Sequence, residues 1–382
     1  MTPTRARVVC LSVLFISLSL LLACGQPTVD DSASAEASGG GETAVTEAGA
    51  KPVPVTCERW VPVDGGSDAS FRGLSAVSNE EVWISGTGGT VGRSVSGGEQ
   101  WSFMVVPGAD ELDFRDIDAF AGGTAYAMSA GPGEASQIYK TVNGGVDWSR
   151  QFVMADEQGF LDGMAFWDES TGLAYGDPVD GAFYVLRTED GGATWTRVDP
   201  ASMPPAIEGE AGFAASGSGL AVGADGVAIF GTGGAAARIF RSTDFGLTWT
   251  VHETPLEAGE PSKGIFSVAL LDEERAVAVG GNYQEPGLAS GNAAVSNDGG
   301  VTWTQPSGLP SGYRSAVALT PEGLLSAGTG GVDLSSDGGQ TWQPSGPEPT
   351  VALNVLAAAD GPCAVWAAGP DGVILRWLAA SE

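Results

Sequence analysis

The sequence predicts an all-β fold: a seven-bladed β-propeller of four-stranded antiparallel blades, closed by an N-terminal strand in the last blade. Three observations predict it. One turn, Ser/Thr-x-Asp-x-Gly-x-x-Trp, returns as SVSGGEQW at 94, TVNGGVDW at 141, TEDGGATW at 188, STDFGLTW at 242, SNDGGVTW at 296 and SSDGGQTW at 335. Its starts are 39 to 54 residues apart, the period of a propeller blade. Seven alternating runs supply one inner strand per period: FRGLSAV at 71, FRDIDAF at 114, GMAFWD at 163, FAASGSG at 213, IFSVALL at 265, YRSAVAL at 313 and LNVLAAA at 353.

The turn has a mechanical reading. An Asp at the third place can accept nearby backbone N–H groups, the Gly takes positive φ without steric cost, and the Trp returns into the next strand to pack between sheets. It resembles the Asp-box, or BNR repeat, of sialidases and other propellers, where it lies away from the ligand-binding face. A structural role is therefore expected for these Asp and Trp residues. The first two copies carry Ser96 and Asn143 where Asp is expected, which predicts weaker turns there.

Each turn sits within a four-strand unit. In the third, GMAFWD is the inner strand, GLAYGDP the second, AFYVLRT the third and TWTRV the outer one. The seventh unit has LNVLAAA, AVWAAGP and VILRWL but no turn after them, and CERWVPV at 57–63 supplies the missing outer strand. That closes the ring and leaves only short, protected edges. The stretch 57–378 divides into about 46 residues per blade for seven blades, in line with the repeat. Cys57 and Cys363 both fall in the closing blade, where an oxidising envelope would favour a disulfide; the alternative is two buried thiols.

Ahead of the propeller, at 56–380, lie two further segments. Residues 1–23 read as a lipoprotein signal peptide: Arg5 and Arg7 precede an apolar run from Val8 to Ala23, shorter than the roughly 20 residues of a spanning helix. The run ends in LLAC, which resembles the lipobox of bacterial lipoproteins, so lipidation is expected at Cys24; an ordinary secretory signal is the alternative. Gly25 follows rather than Asp, which by the same resemblance places the protein on the periplasmic face of the outer membrane in a Gram-negative cell, and otherwise on the extracytoplasmic face. Residues 24–55 carry the lipidated Cys and an acidic segment almost without large apolar side chains, expected to be a disordered tether reaching roughly 30 Å.

Composition removes several functions. Among 382 residues, 17 basic groups face 47 acidic ones, for a net charge of -30, so nucleic acid is not an expected partner and any anion site must be local. His252 is the single His, and the Cys residues at 10, 24, 57 and 363 include no CxxC pair, so no metal site is expected. The Gly-rich GTGG at 231 lacks the Gly-Lys-Ser/Thr ending and the following helix of a phosphate loop.

Ligands of propellers usually meet the loops and inner-strand starts around the central channel. Aligning the inner strands places Arg72, Arg115, Asp162, Phe266, Arg314 and Asn354 at matching positions. Three guanidiniums converging there would capture a carboxylate or other anion bidentately. The bland alternative pairs each Arg with a carboxylate such as Asp116 or Asp162 and simply fills the channel. The loops GDPVDG at 176, GTGGAAARIFRS at 231 with Arg238, and GGNYQEP at 280 with Tyr283 belong to the same expected neighbourhood.

At FRGLSAV, EVWISGTGGT, GMAFWD, GDPVDG, GTGGAAARIFRSTD and SGYRSAV the chain resembles bacterial members of the photosystem II stability/assembly factor-like family, over about residues 57–378. The resemblance implies a secreted or membrane-tethered, non-catalytic assembly factor; in photosynthetic members an Arg-lined face docks on the photosystem. Arg72, Arg115 and Arg314 are the positions that would carry this role. The expectation is an envelope lipoprotein, monomeric and without a cofactor, whose partner is a membrane-complex subunit. Two alternatives stand beside it. A sialidase-like glycoside hydrolase would use the Arg trio with Tyr283, Glu210 and Asp162, yet FRGL lacks the Pro of an Arg-Ile-Pro motif and a seventh blade is present. An oxidoreductase-like propeller would need a quinone-type cofactor in the channel, since no Rossmann motif, CxxC or CxxCH occurs.

Overall fold

The protein is described here from a computed structural model, in which residues 57–347 and 350–379 are placed; the expected signal peptide, lipidated Cys24 and tether lie outside the described residues. Seven antiparallel sheets succeed one another along the chain. Their innermost strands are Phe71–Ala76, Phe114–Phe120, Leu161–Phe166, Leu220–Val222, Glu260–Leu270, Ala316–Thr320 and Val355–Ala358, which begin blades 1 to 7. Blade 3 shows the plan: Leu161–Phe166 pairs with Gly172–Val179, which pairs with Ala182–Thr188, which pairs with Thr196–Arg197.

Polar rungs tie neighbouring inner strands together around the axis. Asp116 Oδ2 accepts the Met164 amide at 2.7 Å and Asp118 Oδ2 the Phe166 amide at 3.1 Å, joining blades 2 and 3. Ser267 Oγ accepts the Val317 amide at 2.9 Å between blades 5 and 6. Apolar layers fill the space between blades further out. Trp303, for example, packs with Ile229, Ile239, Ala278 and Ala294, so the returning Trp of one blade is buried against its neighbour.

The repeated turn is a hydrogen-bonded clamp. In the copy at 296, Ser296 Oγ donates to Asp298 Oδ1 (2.9 Å) and accepts the Gly300 amide (2.9 Å). Asp298 accepts the Thr302 amide (2.8 Å) and the Thr302 hydroxyl (2.6 Å), and Trp303 Nε1 donates to Gly300 O at 3.0 Å. The two divergent copies keep the backbone bond: Ser96 Oγ accepts the Gln100 amide at 2.9 Å, and Asn143 Oδ1 the Asp147 amide at 3.0 Å. Ser96 has no counterpart to the Thr302 hydroxyl bond, because Gln100 stands where Thr302 does.

Closure follows the expected topology. Cys57–Pro62 pairs antiparallel with Ile374–Ala379, with Trp60 opposite Trp377 and their rings stacked at 5.8 Å. This joins residues from both ends of the described chain in blade 7, in the order 57–62, 374–379, 365–368, 355–358. Cys57 and Cys363 form a disulfide with Cα atoms 5.5 Å apart. Glu322 lies beside the two sulfurs, but a disulfide offers no thiolate to a metal.

Blade 4 departs from the sequence expectation. Its inner strand is Leu220–Val222, paired with Ala228–Gly231, and not the FAASGSG run. The stretch ASGSG has no large apolar side chain to bury between sheets, whereas Leu220 is buried against Phe230 and Tyr175. Residues 212–216, released from the ladder, are used elsewhere. Blade 5 is also unusual: Glu260–Leu270 extends beyond the ladder of its own blade, and its first residues pair with Gly233–Gly234, which pair in turn with Glu210–Ala211. The GTGG sequence is therefore part of a small β-ledge that anchors the chain on either side of 212–216.

Candidate functional site at the channel mouth

Alternation of antiparallel strands puts the inner-strand starts at the end of the ring opposite the Ser/Thr-x-Asp turns. Four inner strands carry a β-bulge there, where the register shifts between Phe71 and Gly73, Phe114 and Asp116, Leu161 and Gly163, and Ile265 and Ser267. The extra residues are Arg72, Arg115, Asp162 and Phe266. A bulge re-aims the side chain of its unpaired residue, and all four line one cavity of about 480 Å³, together with Asp177, Tyr283, Tyr313 and Asn354. The carbonyl just before the bulge comes close to the second strand, and this explains a glycine: a Cβ on Gly176 would lie 2.0 Å from Phe160 O.

Residues 212–216 cross this mouth as a strap. The Ala215 carbonyl accepts from Arg72 Nη1 at 3.1 Å, and the Ala214 carbonyl from Arg115 Nη1 at 3.1 Å. The Gly212 amide donates to Asp177 Oδ1 at 2.9 Å, and the Ser216 hydroxyl to Ser315 O at 2.7 Å. Phe213 stacks on Phe266 with centroids 3.8 Å apart, while Tyr283 and Tyr313 meet Phe266 edge-on at 6.1 and 4.8 Å. Blades 1, 2, 3, 5 and 6 thus all touch five residues of blade 4.

The two mouth arginines differ in surroundings. Arg115 Nε also donates to Asp113 Oδ2 at 2.8 Å. Burial, and secondarily the neighbouring Arg115, lower the pKa of the Arg72 guanidinium from its usual value. Two like charges held this close favour an anionic or carbonyl oxygen between them.

Arg314 and Arg238, both expected at this site, lie outside it. Tyr313, not Arg314, reaches the cavity. The close approach of Gly176 to Leu161 Cα, of Gly280 to Ile265 Cα and of Gly369 to Leu353 Cα is repeated by Gly328 and Arg314 Cα, so Arg314 occupies the place of Leu161, Ile265 and Leu353. The matching of YRSA with FRGL is therefore one residue out, and Ser315 is the counterpart of Arg72. The Arg314 side chain turns into blade 6, fully buried, where Nε donates to Asp333 Oδ2 at 2.8 Å and Nη1 to Tyr313 O at 2.7 Å. Arg238 is likewise consumed, by a buried ion pair with Glu210 and contact with the Phe240 ring.

Asp162 forms the floor. Its residue is 1% exposed, and Oδ2 has no hydrogen-bond partner. Burial, and then the charge of Asp177, push its carboxyl well above the usual carboxylate range, against a smaller opposing pull from Arg115 and a bond from the Ala214 amide. Asp177 is raised as well, chiefly by burial. Sequence alignment located Asp162, while Asp177, read at the end of the second strand GLAYGDP and in the GDPVDG loop, was not singled out by itself, nor were Phe213 and Tyr313.

The glycosidase arrangement is not assembled. Glu210 is committed to Arg238 and does not line the cavity, and the Arg trio is reduced to two.

No family model and no curated protein matches the chain. Solved structures do. YCF48 bound to D1 peptide superposes with a TM-score of 0.61 at 17% identity, covering 85% of this chain and 99% of that one. YCF48 from Cyanidioschyzon merolae gives 0.55 at 16%, covering 83% and 98%. The WD40 domain of Neurospora crassa Pan2 gives 0.60 at 12%, covering 87% and 98%. At these identities the likeness establishes the seven-bladed fold. The bulged arginines and the strap are features of this chain's own residues.

Proposed function

We propose that this propeller binds an extended segment of a protein partner at the channel mouth, with Arg72 and Arg115 taking carbonyl or carboxylate oxygens from it. The observation that carries the reading is the strap: both guanidiniums already hold main-chain carbonyls, those of Ala214 and Ala215 at a tight turn closed by the Ala215 amide on Phe213 O, so the mouth presents donors suited to peptide oxygens. A structurally similar propeller, YCF48, has been solved with a D1 peptide bound, which supports peptide recognition by this fold. The chain's finer role, in our reading, is that of a monomeric envelope lipoprotein, held through Cys24 and a tether, that assists assembly or quality control of a membrane complex. The acidic surface around a local pair of cations favours a specific docking contact over general adhesion.

The test is in-cell photo-crosslinking from position 283, where Tyr283 is 46% exposed on the rim. The expected result is one membrane-complex subunit captured by the wild type and lost in an Arg72→Ala/Arg115→Ala variant that folds normally. Equal capture by both would overturn the proposed docking mouth.

A further inference from the structure

The mouth holds more than an anion site. On its blade 3 side, Asp162 Oδ2 is buried without a partner beside Gly212, and Asp177 stands next to it with one oxygen on the Gly212 amide. Arg115 acts on Asp162 electrostatically, yet its side chain donates to Asp113 and Ala214 and forms no ion pair with either acid among the described residues. Aromatic rings of Phe213, Phe266, Tyr283 and Tyr313 wall the same cavity.

We propose that Asp162 and Asp177 form a cation subsite that takes a primary ammonium group from the bound segment, beside the anion position of Arg72 and Arg115. This rests on the reading of the mouth as a peptide site and specifies what that peptide must carry. The physical case is complementarity. A buried carboxylate oxygen without a donor is costly; an ammonium supplies three donors, and aromatic faces favour a cation close to them. Arg72 and Arg115, lining the same cavity, would take an acidic side chain or carbonyl of the same segment, so the recognised ligand is zwitterionic in character.

Protonation fits this assignment. Burial and the charge of Asp177 raise the Asp162 carboxyl, and an incoming ammonium opposes that shift by favouring the charged form. The groups facing Asp162 are Asp177 and Tyr175 from the adjacent strand of blade 3 and Arg115 from blade 2, with Asp116 acting on Tyr175 behind them. Affinity for an ammonium therefore rises with pH, by up to about tenfold per unit below the pKa of the bound proton.

The experiment uses two small probes in saturation-transfer NMR with the intact propeller: n-butylammonium for the cation subsite and butanoate for the arginines. Asp162→Asn, isosteric and neutral, is expected to weaken n-butylammonium at least tenfold while butanoate holds or strengthens; Arg72→Ala should do the reverse. Butylammonium binding that survives in Asp162→Asn, or its absence from wild type that binds butanoate, overturns the cation subsite and leaves the docking mouth standing. Binding of butylammonium but not butanoate removes the anion position instead. Two competitors identify the source: acetyl-Ala-Lys-Ala-amide displacing butylammonium assigns a lysine side chain, and Ala-Ala-Ala-amide with a free amine assigns a chain N-terminus. Displacement by neither overturns the assignment to a peptide.

Discussion

Asp116 of blade 2 accepts the backbone amide of Met164 in blade 3 at 2.7 Å, from a position almost wholly shielded from water. Burial pushes its carboxyl up to about 8, with the nearby Asp118 charge adding to the effect, and Asp118 itself rises to about 7. In the unfolded chain both would titrate near 4. The folded state thus holds protons that the unfolded state releases, so the stability present below about pH 4 is lost as pH rises through 7 and 8. Asp298 works in the opposite direction: hydrogen bonds from Thr302 depress it to about 2, so its contribution is present above about 4 and lost on acidification towards 2. Urea unfolding is expected to show lower stability at pH 9 than at pH 5, by several kcal/mol. Asp116→Asn, which keeps an oxygen for Met164, should flatten that slope in part, the remainder coming from Asp118, Asp162 and Asp177. An unchanged slope would remove Asp116 from the account.

The Arg314 and Asp333 pair is fully buried within blade 6, with Ser311 donating to Asp333 through its amide (3.0 Å) and hydroxyl (2.9 Å). Removing one member leaves an uncompensated buried charge, which costs about 3–5 kcal/mol. Asp333→Ala is therefore expected to be severely destabilised in urea. Replacing both with apolar residues of similar volume should recover most of that loss. If Arg314 instead served the docking mouth, Asp333→Ala would alter partner binding with little effect on the urea midpoint.

Much of this was legible in the letters, and the misses have physical causes. The turn repeats because each blade needs the same clamp and the same buried Trp, so period and blade number could be read directly. CERWVPV could be matched to outer strands because Trp60 must pack as the other returning aromatics do. Arg72, Arg115, Asp162 and Phe266 were found by aligning inner strands, although nothing in the alphabet announces a bulge. Arg314 was misplaced because Tyr-Arg imitates Phe-Arg, and only the fold reveals Asp333 waiting in the third strand of blade 6 to neutralise it. Phe213 read as strand because apolar letters followed it, whereas its contacts are long-range and lie across the mouth.

The disulfide between Cys57 and Cys363 encloses a separation of 306 residues and sits where the ring is closed by non-consecutive segments. Cross-linking so distant a pair restricts the unfolded chain strongly; the loop-entropy account gives about 6 kcal/mol as an upper figure. Reduction, or a Cys57→Ser/Cys363→Ser double variant, should lower the Tm of the purified propeller without altering its far-ultraviolet circular dichroism below the transition. Identical melting of oxidised and reduced protein would show that the 57–62 strand is held by its ladder and the Trp60–Trp377 stack alone.

Gly176 couples the frame to the site. A Cβ there would stand 2.0 Å from Phe160 O and 3.1 Å from Leu161 Cα, both backbone atoms that cannot rotate away. Gly176→Ala must therefore open the bulge that aims Asp162, whereas Gly122→Ala meets nothing within 4 Å and bears only the strain of φ +92°. Overpacking of this kind costs about 1–3 kcal/mol, and the φ strain alone about 1. The discriminating readout is binding at the mouth. Gly176→Ala is expected to lose partner capture under conditions where it remains folded, because Asp162 and the strap residue Gly212 move with the bulge, while Gly122→Ala keeps it. Retention of capture by a folded Gly176→Ala variant would mean that the bulge on blade 3 is a device of closure only, with the arginines of blades 1 and 2 sufficient for docking.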